Sequence, residues 1–141
     1  MEENYLIAGP VPPGKISELV EKMGRKTDSG GHMIFLGQVR ADEIEGKRVR
    51  AIEYSAYSEM VNVEADKIKK TVFSEFADVK SIIIIHSIGI VKAGEISLLV
   101  FVSAGHRKHA MEACSKTVEL IKANLPVWKK EIFEDDSHLW K

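Results

Sequence analysis

The sequence predicts an α+β fold, namely a two-layer α/β sandwich with a small additional antiparallel β arm. Two long segments carry apolar residues at helical spacing, and β-branched runs of strand length lie between and around them. The resulting order β, α, β, β, α, β indicates helices packed on one sheet. No repeat, low-complexity tract or long linker divides the 141 residues, so we expect a single domain over residues 1–141.

The N-terminal part begins with a short helix followed by a strand. A turn rich in proline and glycine spans residues 9–14, and residues 16–23 then carry apolar side chains at helical spacing. Residues 32–39 are typical of a strand, in which Gly37 indicates a bulge or a close backbone approach. The polar segment 41–48 has no period, so we expect a mobile loop there.

The middle of the chain contains a long helix among strands. A second strand is expected near residues 49–54, and the apolar stripe over residues 61–76 predicts a helix that covers one face of the sheet. Residues 79–86 are rich in β-branched residues, with a continuous apolar run over 82–85, and residues 96–103 repeat this signal, which suits strands covered on both faces. Residues 88–92 between them predict a short strand or arm.

The C-terminal part predicts a second long helix and an extended segment. The apolar stripe over residues 107–125 predicts the helix. Pro126 should end it, because the residue before a proline avoids the α region. Residues 127–133 then form a strand or an extended tail.

Composition limits the class of protein. The chain has 20 Lys and Arg against 21 Asp and Glu, so its net charge of -1 gives no reason to expect nucleic acid or an anionic membrane as the main partner. The single cysteine, Cys114, excludes an intrachain disulfide and fits the reducing cytoplasm. No apolar run approaches the roughly 20 residues that cross a bilayer, and the start MEENY lacks the order of a secretory signal.

Lysines at the junction of the last helix and the last strand are the first candidates for chemistry. Lys122 lies at the rim of the apolar helical stripe, either as a snorkelling side chain or as an amine in a partly dry cleft, suited to proton transfer or covalent work. Beyond Pro126, strand alternation places Lys129 and Glu131 on one face and Lys130 on the other. Lysines at positions 129 and 130 would also protect an edge strand from aggregation.

The segment 103–107 joins a predicted strand to the start of the last helix. Backbone N–H groups at a helix start attract anions, and His106 and Arg107 add side-chain donors. These features predict a phosphate or carboxylate pocket, unless the two side chains simply face water beside a capped helix. No metal site is expected from His106, His109 and Cys114, since Cys114 lies on the buried stripe and no fourth ligand is suitably spaced.

Three short motifs in the sequence together indicate a protein family. They are Gly37-Gln38-Val39-Arg40, the His106-Arg107 pair that opens a helix, and Lys122 followed seven residues later by Lys129 within the tract LPVWKKE. Together they resemble the large, catalytic subunit of molybdopterin synthase. The resemblance extends over about residues 31–140.

This resemblance implies a fold, a reaction and partners. The fold is an α/β-hammerhead-like sandwich. The enzyme transfers sulfur to cyclic pyranopterin monophosphate to form the molybdopterin dithiolene, without a metal or an organic cofactor. The sulfur comes from the thiocarboxylated C-terminal Gly-Gly of a small ubiquitin-like subunit. In the family, a homodimer of large subunits is flanked by two small subunits in a heterotetramer.

The resemblance also implies roles for individual residues. Lys122 and Lys129 are the implied catalytic amines, and His106 and Arg107 are implied to bind the substrate phosphate. The other implied substrate contacts are Gln38, Val39, Arg40, Lys130 and Glu131, with Arg40 a candidate to act across the dimer. We expect the two lysines, His106 and Arg107 to meet in one cationic hollow. An alternative is a non-catalytic module that binds anions or peptide termini, since each of these residues binds an anion without performing chemistry.

Overall fold

This computed structural model describes residues 4–140, which form three helices and eight strands. No helix in this part is long and apolar enough to cross a membrane. The α+β class predicted from the sequence is confirmed. In chain order the elements are β1 (Leu6–Ala8), α1 (Gly14–Gly24), β2 (Gly31–Gln38), β3 (Glu43–Ile44), β4 (Lys47–Ala56), α2 (Ser58–Glu75), β5 (Val79–Lys92), β6 (Ile96–Ala104), α3 (Arg107–Asn124), β7 (Val127–Phe133) and β8 (His138–Trp140).

All of the described strands belong to one sheet. Its main order is β2-β6-β5-β4-β7-β8, with β1 beside β5 and β3 beside β4. Neighbouring strands among the described residues are antiparallel, except that β1 runs parallel to β5. The first part of β5 pairs with β6 and its last part pairs with β4. This strand therefore links the helix-covered sheet to a smaller antiparallel arm of β3, β4, β7 and β8.

The two faces of the sheet are covered by different helices. On one face, α2 and α3 pack against alternate residues of the central strands, among them Val100 and Val102 of β6. On the other face, Leu19 and Met23 of α1 pack in one cluster with Phe101. Because both faces of β6 are covered, its central residues 98–102 are continuously apolar rather than alternating. The arm has its own small core, centred on residues of β4 and β7.

Two local predictions differ from the structure, and two short strands were not predicted. Residues 41–48 were expected to form a loop, but they contain a tight hairpin between β3 and β4. Glu45 and Gly46 at its tip have φ values of 52° and 79°, the left-handed conformation that matches strand twist in two-residue hairpins. Residues 79–92 form one strand rather than two pieces. The strands β1 and β8 were not predicted, since three residues are too few to show a period.

Candidate active site

A cavity of about 380 Å³ lies where the end of β2, the arm strands β4 and β7, and the last turn of α3 meet. Its wall includes six of the nine residues that the sequence predicted for the site. Those six are Gln38, Val39, Arg40, Lys122, Lys129 and Glu131. Residues separated by more than 90 positions in the chain are therefore brought to one cleft.

The two lysines meet because the chain turns sharply between them. Helix α3 ends at Asn124, and Leu125 is already extended with ψ of 124°, as expected for a residue before proline. Strand β7 begins at Val127 and runs antiparallel beside β4. Lys122 thus approaches the cavity from the end of the helix, and Lys129 approaches it from the strand. The side chain of Lys122 is exposed at the cavity rim, while Lys129 is partly covered.

Strand alternation sorts the charges of β7 between two faces. Lys129 lies opposite Tyr54 of β4 and Glu131 lies opposite Ile52, and all four residues line the cavity. Glu131 is only 2% exposed, so its carboxylate belongs to the wall of the cleft rather than to the outer surface.

Lys130 points to the opposite face of the arm. Its amine lies 2.9 Å from Glu53 Oε1 and 5.4 Å from the centre of the Trp140 ring. Within the described chain, Lys130 therefore lies outside the cleft that Lys129 lines, and the substrate contact that the family resemblance implied for it stays a prediction.

A bulge shapes the wall formed by residues 38–40. The pairing of β2 with β6 shifts register between Gly37 and Gln38, at the glycine that the sequence marked for a bulge or a close approach. Val39 is then held by hydrogen bonds with Glu95 and Gly94 and is buried. Arg40 follows with its side chain 79% exposed, where its guanidinium lies 3.4 Å from Asp42. The guanidinium is therefore open to a ligand or to another subunit.

Two hydroxyl groups that sequence analysis did not identify brace this wall. Tyr54 Oη donates a hydrogen bond of 3.0 Å to Ser97 Oγ, and Ser97 Oγ donates to the carbonyl oxygen of Gly37 at 3.4 Å. Burial raises the pKa of Tyr54, an effect that the bond to Ser97 partly offsets. Tyr54 and Ser97 both line the cavity. No local motif marks them, because strand pairing alone brings β4, β6 and the bulge together.

A buried histidine lies behind the cavity. His86 is 6% exposed, and its ring packs edge-on against Tyr54 with 5.1 Å between ring centres. Its Nδ1 lies 2.8 Å from the carbonyl oxygen of Ser87. Because a carbonyl oxygen can only accept a hydrogen bond, Nδ1 carries the proton and donates it. The pKa of His86 is lowered from 6.5 to about 4, mainly by burial and in smaller part by the positive charges of Lys129 and Lys122, while the hydrogen bond to Ser87 opposes the shift. His86 is therefore neutral at physiological pH.

This shift predicts an acid-dependent loss of stability. Below pH 6.5 the unfolded chain protonates His86 while the folded chain does not until about pH 4, so the free energy of unfolding falls as the pH is lowered through this window. The loss is at most about 3 kcal/mol. Urea unfolding at several pH values should show a shallower pH dependence for His86→Asn than for the wild type. The exposed-site variant His138→Gln serves as the control, and an unchanged slope in His86→Asn would contradict the assignment.

His106 and Arg107 lie at the other end of α3 from the lysines. Arg107 opens the helix and Lys122 is in its last turn, so a rise of about 1.5 Å per residue puts about 22 Å between them. His106 and Arg107 are both exposed, and neither is in the wall of the lysine cavity within the described chain. The expectation that all four groups meet in one hollow is therefore wrong for a single copy of the chain.

Cys114 takes the structural role that its position on the helical stripe predicted. It is 4% exposed in the main core, and burial raises the pKa of its thiol. Among residues 4–140, no three His, Cys, Asp or Glu side chains come together as they would to hold a metal ion.

Comparisons with known proteins agree with this architecture. Residues 9–124 match the sequence profile of the MoaE protein family. A molybdopterin synthase catalytic subunit from Dictyostelium discoideum is 44% identical over 115 residues, which cover 80% of this chain and 72% of that protein. Another from Pyrococcus abyssi is 41% identical over 114 residues, covering 81% of this chain and 75% of that protein.

Solved structures share the whole fold. The crystal structure of molybdopterin synthase from Staphylococcus aureus superimposes with a TM-score of 0.85 at 28% identity, covering 100% of this chain and 98% of that one. A complex of subunits 1 and 2 of molybdopterin-converting factor from Helicobacter pylori contains a chain with the same fold, with a TM-score of 0.80 at 20% identity and coverage of 96% and 87%. From the profile match and the sequence identities together, the chain belongs to the MoaE family.

Proposed function

We propose that this chain is the catalytic subunit of a molybdopterin synthase and acts in the cytoplasm. It transfers sulfur from a thiocarboxylated protein terminus to cyclic pyranopterin monophosphate, forming the dithiolene of molybdopterin. The observation that carries this proposal is the cleft in which Lys122 and Lys129 come together beside buried Glu131. Membership of the MoaE family supports the same reaction.

The cleft suits a reaction between anions. The substrate carries a phosphate and the donor ends in a thiocarboxylate, so two ammonium groups in one cavity attract both reactants. As the donor sulfur bonds to a pterin carbon, the oxygen on that carbon leaves as water, and hydrolysis of the acyl carbon–sulfur bond frees the donor terminus as a carboxylate. Charge develops on oxygen in these steps, and positioned lysines stabilise that charge and supply protons. Glu131, on the same strand face as Lys129, helps to orient its amine. Holding both reactants in one cleft supplies a further part of the rate.

The phosphate site of each cleft is supplied by a second copy of the chain. Within one copy, α3 separates His106 and Arg107 from Lys122 by about 22 Å, which is too far to hold one small substrate. Both residues are exposed at the helix start, and Arg40 is exposed at the rim of the lysine cleft. A homodimer in which the helix start of one copy faces the cleft of the other satisfies both roles. Each active site is then composite.

The sulfur donor is a small ubiquitin-like subunit whose C-terminal Gly-Gly enters the cleft. A cavity of about 380 Å³ with an open mouth admits a narrow peptide end, and glycine brings backbone close without a side chain. The Helicobacter pylori complex, which joins two different subunits of molybdopterin-converting factor, supports such an assembly. Two donors on one homodimer form a heterotetramer.

Reconstitution tests the function directly. The purified chain is mixed with a thiocarboxylated small subunit and cyclic pyranopterin monophosphate, and the pterin product is analysed by mass spectrometry. We expect a product that has gained two sulfur atoms. A donor lacking its terminal Gly-Gly is the matched control and should give none. Tight binding of both reactants without any sulfur in the product would instead identify a binding module and would contradict catalysis.

A further inference from the structure

An acidic side chain holds the exposed histidine at the start of α3. Asp78 lies in the short connection between α2 and β5, and its Oδ2 is within hydrogen-bond distance of three nitrogens. The His106 backbone N–H donates to it at 3.0 Å, His106 Nδ1 lies at 3.3 Å, and His109 Nδ1 lies at 3.2 Å. One carboxylate oxygen thus lies within hydrogen-bond distance of the backbone and of both histidine rings at the first helical turn.

Close backbone packing fixes Asp78 against this turn. The Gly105 N–H donates to the Asp78 carbonyl oxygen at 3.0 Å. Any side chain at Gly105 would collide with the Asp78 carboxylate, and one at Gly30 would collide with the carbonyl oxygen of Gly105. Two glycines therefore permit an approach that other residues would prevent, and the carboxylate is held in place from several sides.

The contact selects which edge of the His106 ring faces outward. The ring is 85% exposed and has no other contact in the described structure that would choose its orientation. With Nδ1–H directed to Asp78, Nε2 is the nitrogen that remains available to a ligand, and in the doubly protonated ring its N–H donates to a phosphate oxygen. Histidines that bind metals are oriented in the same way, because the ring nitrogen that does not bind the metal donates to a carboxylate and thereby fixes the orientation of the ring.

The carboxylate is compatible with a nearby anion. Partial burial opposes ionisation of Asp78, but the hydrogen bonds from the His106 backbone and from the rings of His106 and His109 keep its pKa below the usual range. The Asp78 charge is therefore shared among three N–H contacts on the inner side of the ring. Arg107, the next residue, adds a positive charge at the same helix start.

We propose that Asp78 is a positioning residue for phosphate recognition, because it holds His106 with Nε2 directed toward the substrate phosphate. The inference rests on the phosphate-binding role given to His106 and Arg107 in the proposed function. Among residues 4–140, Asp78 is not part of the wall of the lysine cleft. Its substitution should therefore alter the binding of the phosphate and not the sulfur chemistry.

Titration of the purified full-length chain with inorganic phosphate tests the inference without requiring catalysis. Asp78→Ala should weaken phosphate binding about tenfold, the usual worth of one well-placed charged hydrogen bond. Asp78→Asn retains an acceptor oxygen and should keep most of the affinity. Asp28→Asn removes a charge from the neighbouring turn, where Asp28 lies 3.9 Å from Lys80, and should leave the affinity unchanged.

A double-mutant cycle with His106→Gln separates positioning from simple support of the fold. If Asp78 acts through His106, then Asp78→Ala should have no further effect on phosphate affinity in the His106→Gln background. If the alanine variant does not fold, the cycle is repeated with Asp78→Ser. Serine retains a short acceptor for the backbone N–H but does not reach the two histidine rings. Additive effects in the cycle would overturn the inference, as would wild-type affinity in Asp78→Ala or a wild-type chain that binds no phosphate.

Kinetics of the assembled synthase add a second readout. Asp78→Ala should raise the KM for cyclic pyranopterin monophosphate about tenfold and leave kcat within about twofold, because only the binding contact is disturbed. A fall in kcat with unchanged KM would overturn the inference. If the wild-type synthase were inactive but its phosphate affinity still depended on Asp78, the proposed reaction would be refuted. The role of Asp78 in phosphate binding would then still hold.

Discussion

Lys122→Ala is expected to lower the rate of sulfur transfer by at least about 100-fold in the assembled synthase, since loss of a positioned acid or charge stabiliser typically has this effect. Lys122 is the cationic group that α3 contributes to the cleft, and Lys129 approaches from a different element. The alanine variant should fold normally, because the Lys122 side chain is exposed and lies outside the core clusters.

Three measurements distinguish a catalytic role from a general charge effect. Single-turnover rates give the chemical step, calorimetry gives the affinity for the donor, and thermal unfolding reports the fold. Lys116→Ala is the matched control, because Lys116 lies on the same helix, pairs with Glu75 at 3.7 Å and is outside the cleft wall formed by the described residues. A fully active Lys122→Ala protein would exclude Lys122 from the mechanism, whereas equal losses in both variants would indicate a nonspecific loss of charge.

The elements that carry the two lysines were predictable because local rules determine them. The apolar stripe of α3 fixed the helix, Pro126 fixed its end, and strand alternation fixed the common face of Lys129 and Glu131. Each rule depends on neighbours within a few residues, where the chain has little conformational choice. The bulge at Gly37 was likewise indicated by a glycine within a strand.

The parts of the site that depend on strand pairing were not predictable in the same way. Tyr54, Ser97 and His86 come from three different strands, and only the register of β4, β5 and β6 places Tyr54 and Ser97 in the cavity wall with His86 behind them. No residue type or spacing within any one segment records that register.

The position of His106 and Arg107 is a different case, because the sequence contained the information. Both residues precede Lys122 on one predicted helix, and an α-helix of that length holds its two ends apart. Convergence within one chain was therefore excluded by helix geometry alone. The same geometry requires a second copy of the chain wherever these residues and Lys122 serve one substrate.

A mixed dimer of Lys122→Ala and Arg107→Ala chains is expected to recover about half of the wild-type activity, although each homodimer alone is nearly inactive. In a composite arrangement, one site of the mixed dimer combines both substitutions, and the other combines the intact Lys122 of one copy with the intact Arg107 of the other. Co-expression with two different affinity tags isolates the mixed dimer, and its rate per mole of dimer is compared with that of the wild type.

The reciprocal dimer makes this result decisive. When both substitutions are on one chain and the partner is wild type, every composite site contains one substitution, so almost no activity should remain. If each chain instead formed its own complete site, the outcomes would be exchanged: the first mixed dimer would be inactive and the reciprocal dimer would keep about half the activity. Because the two arrangements predict opposite results from the same substitutions, differences in expression or stability cannot imitate the expected pattern. Activity in the reciprocal dimer alone would therefore refute the shared site and return both functions to one copy of the chain.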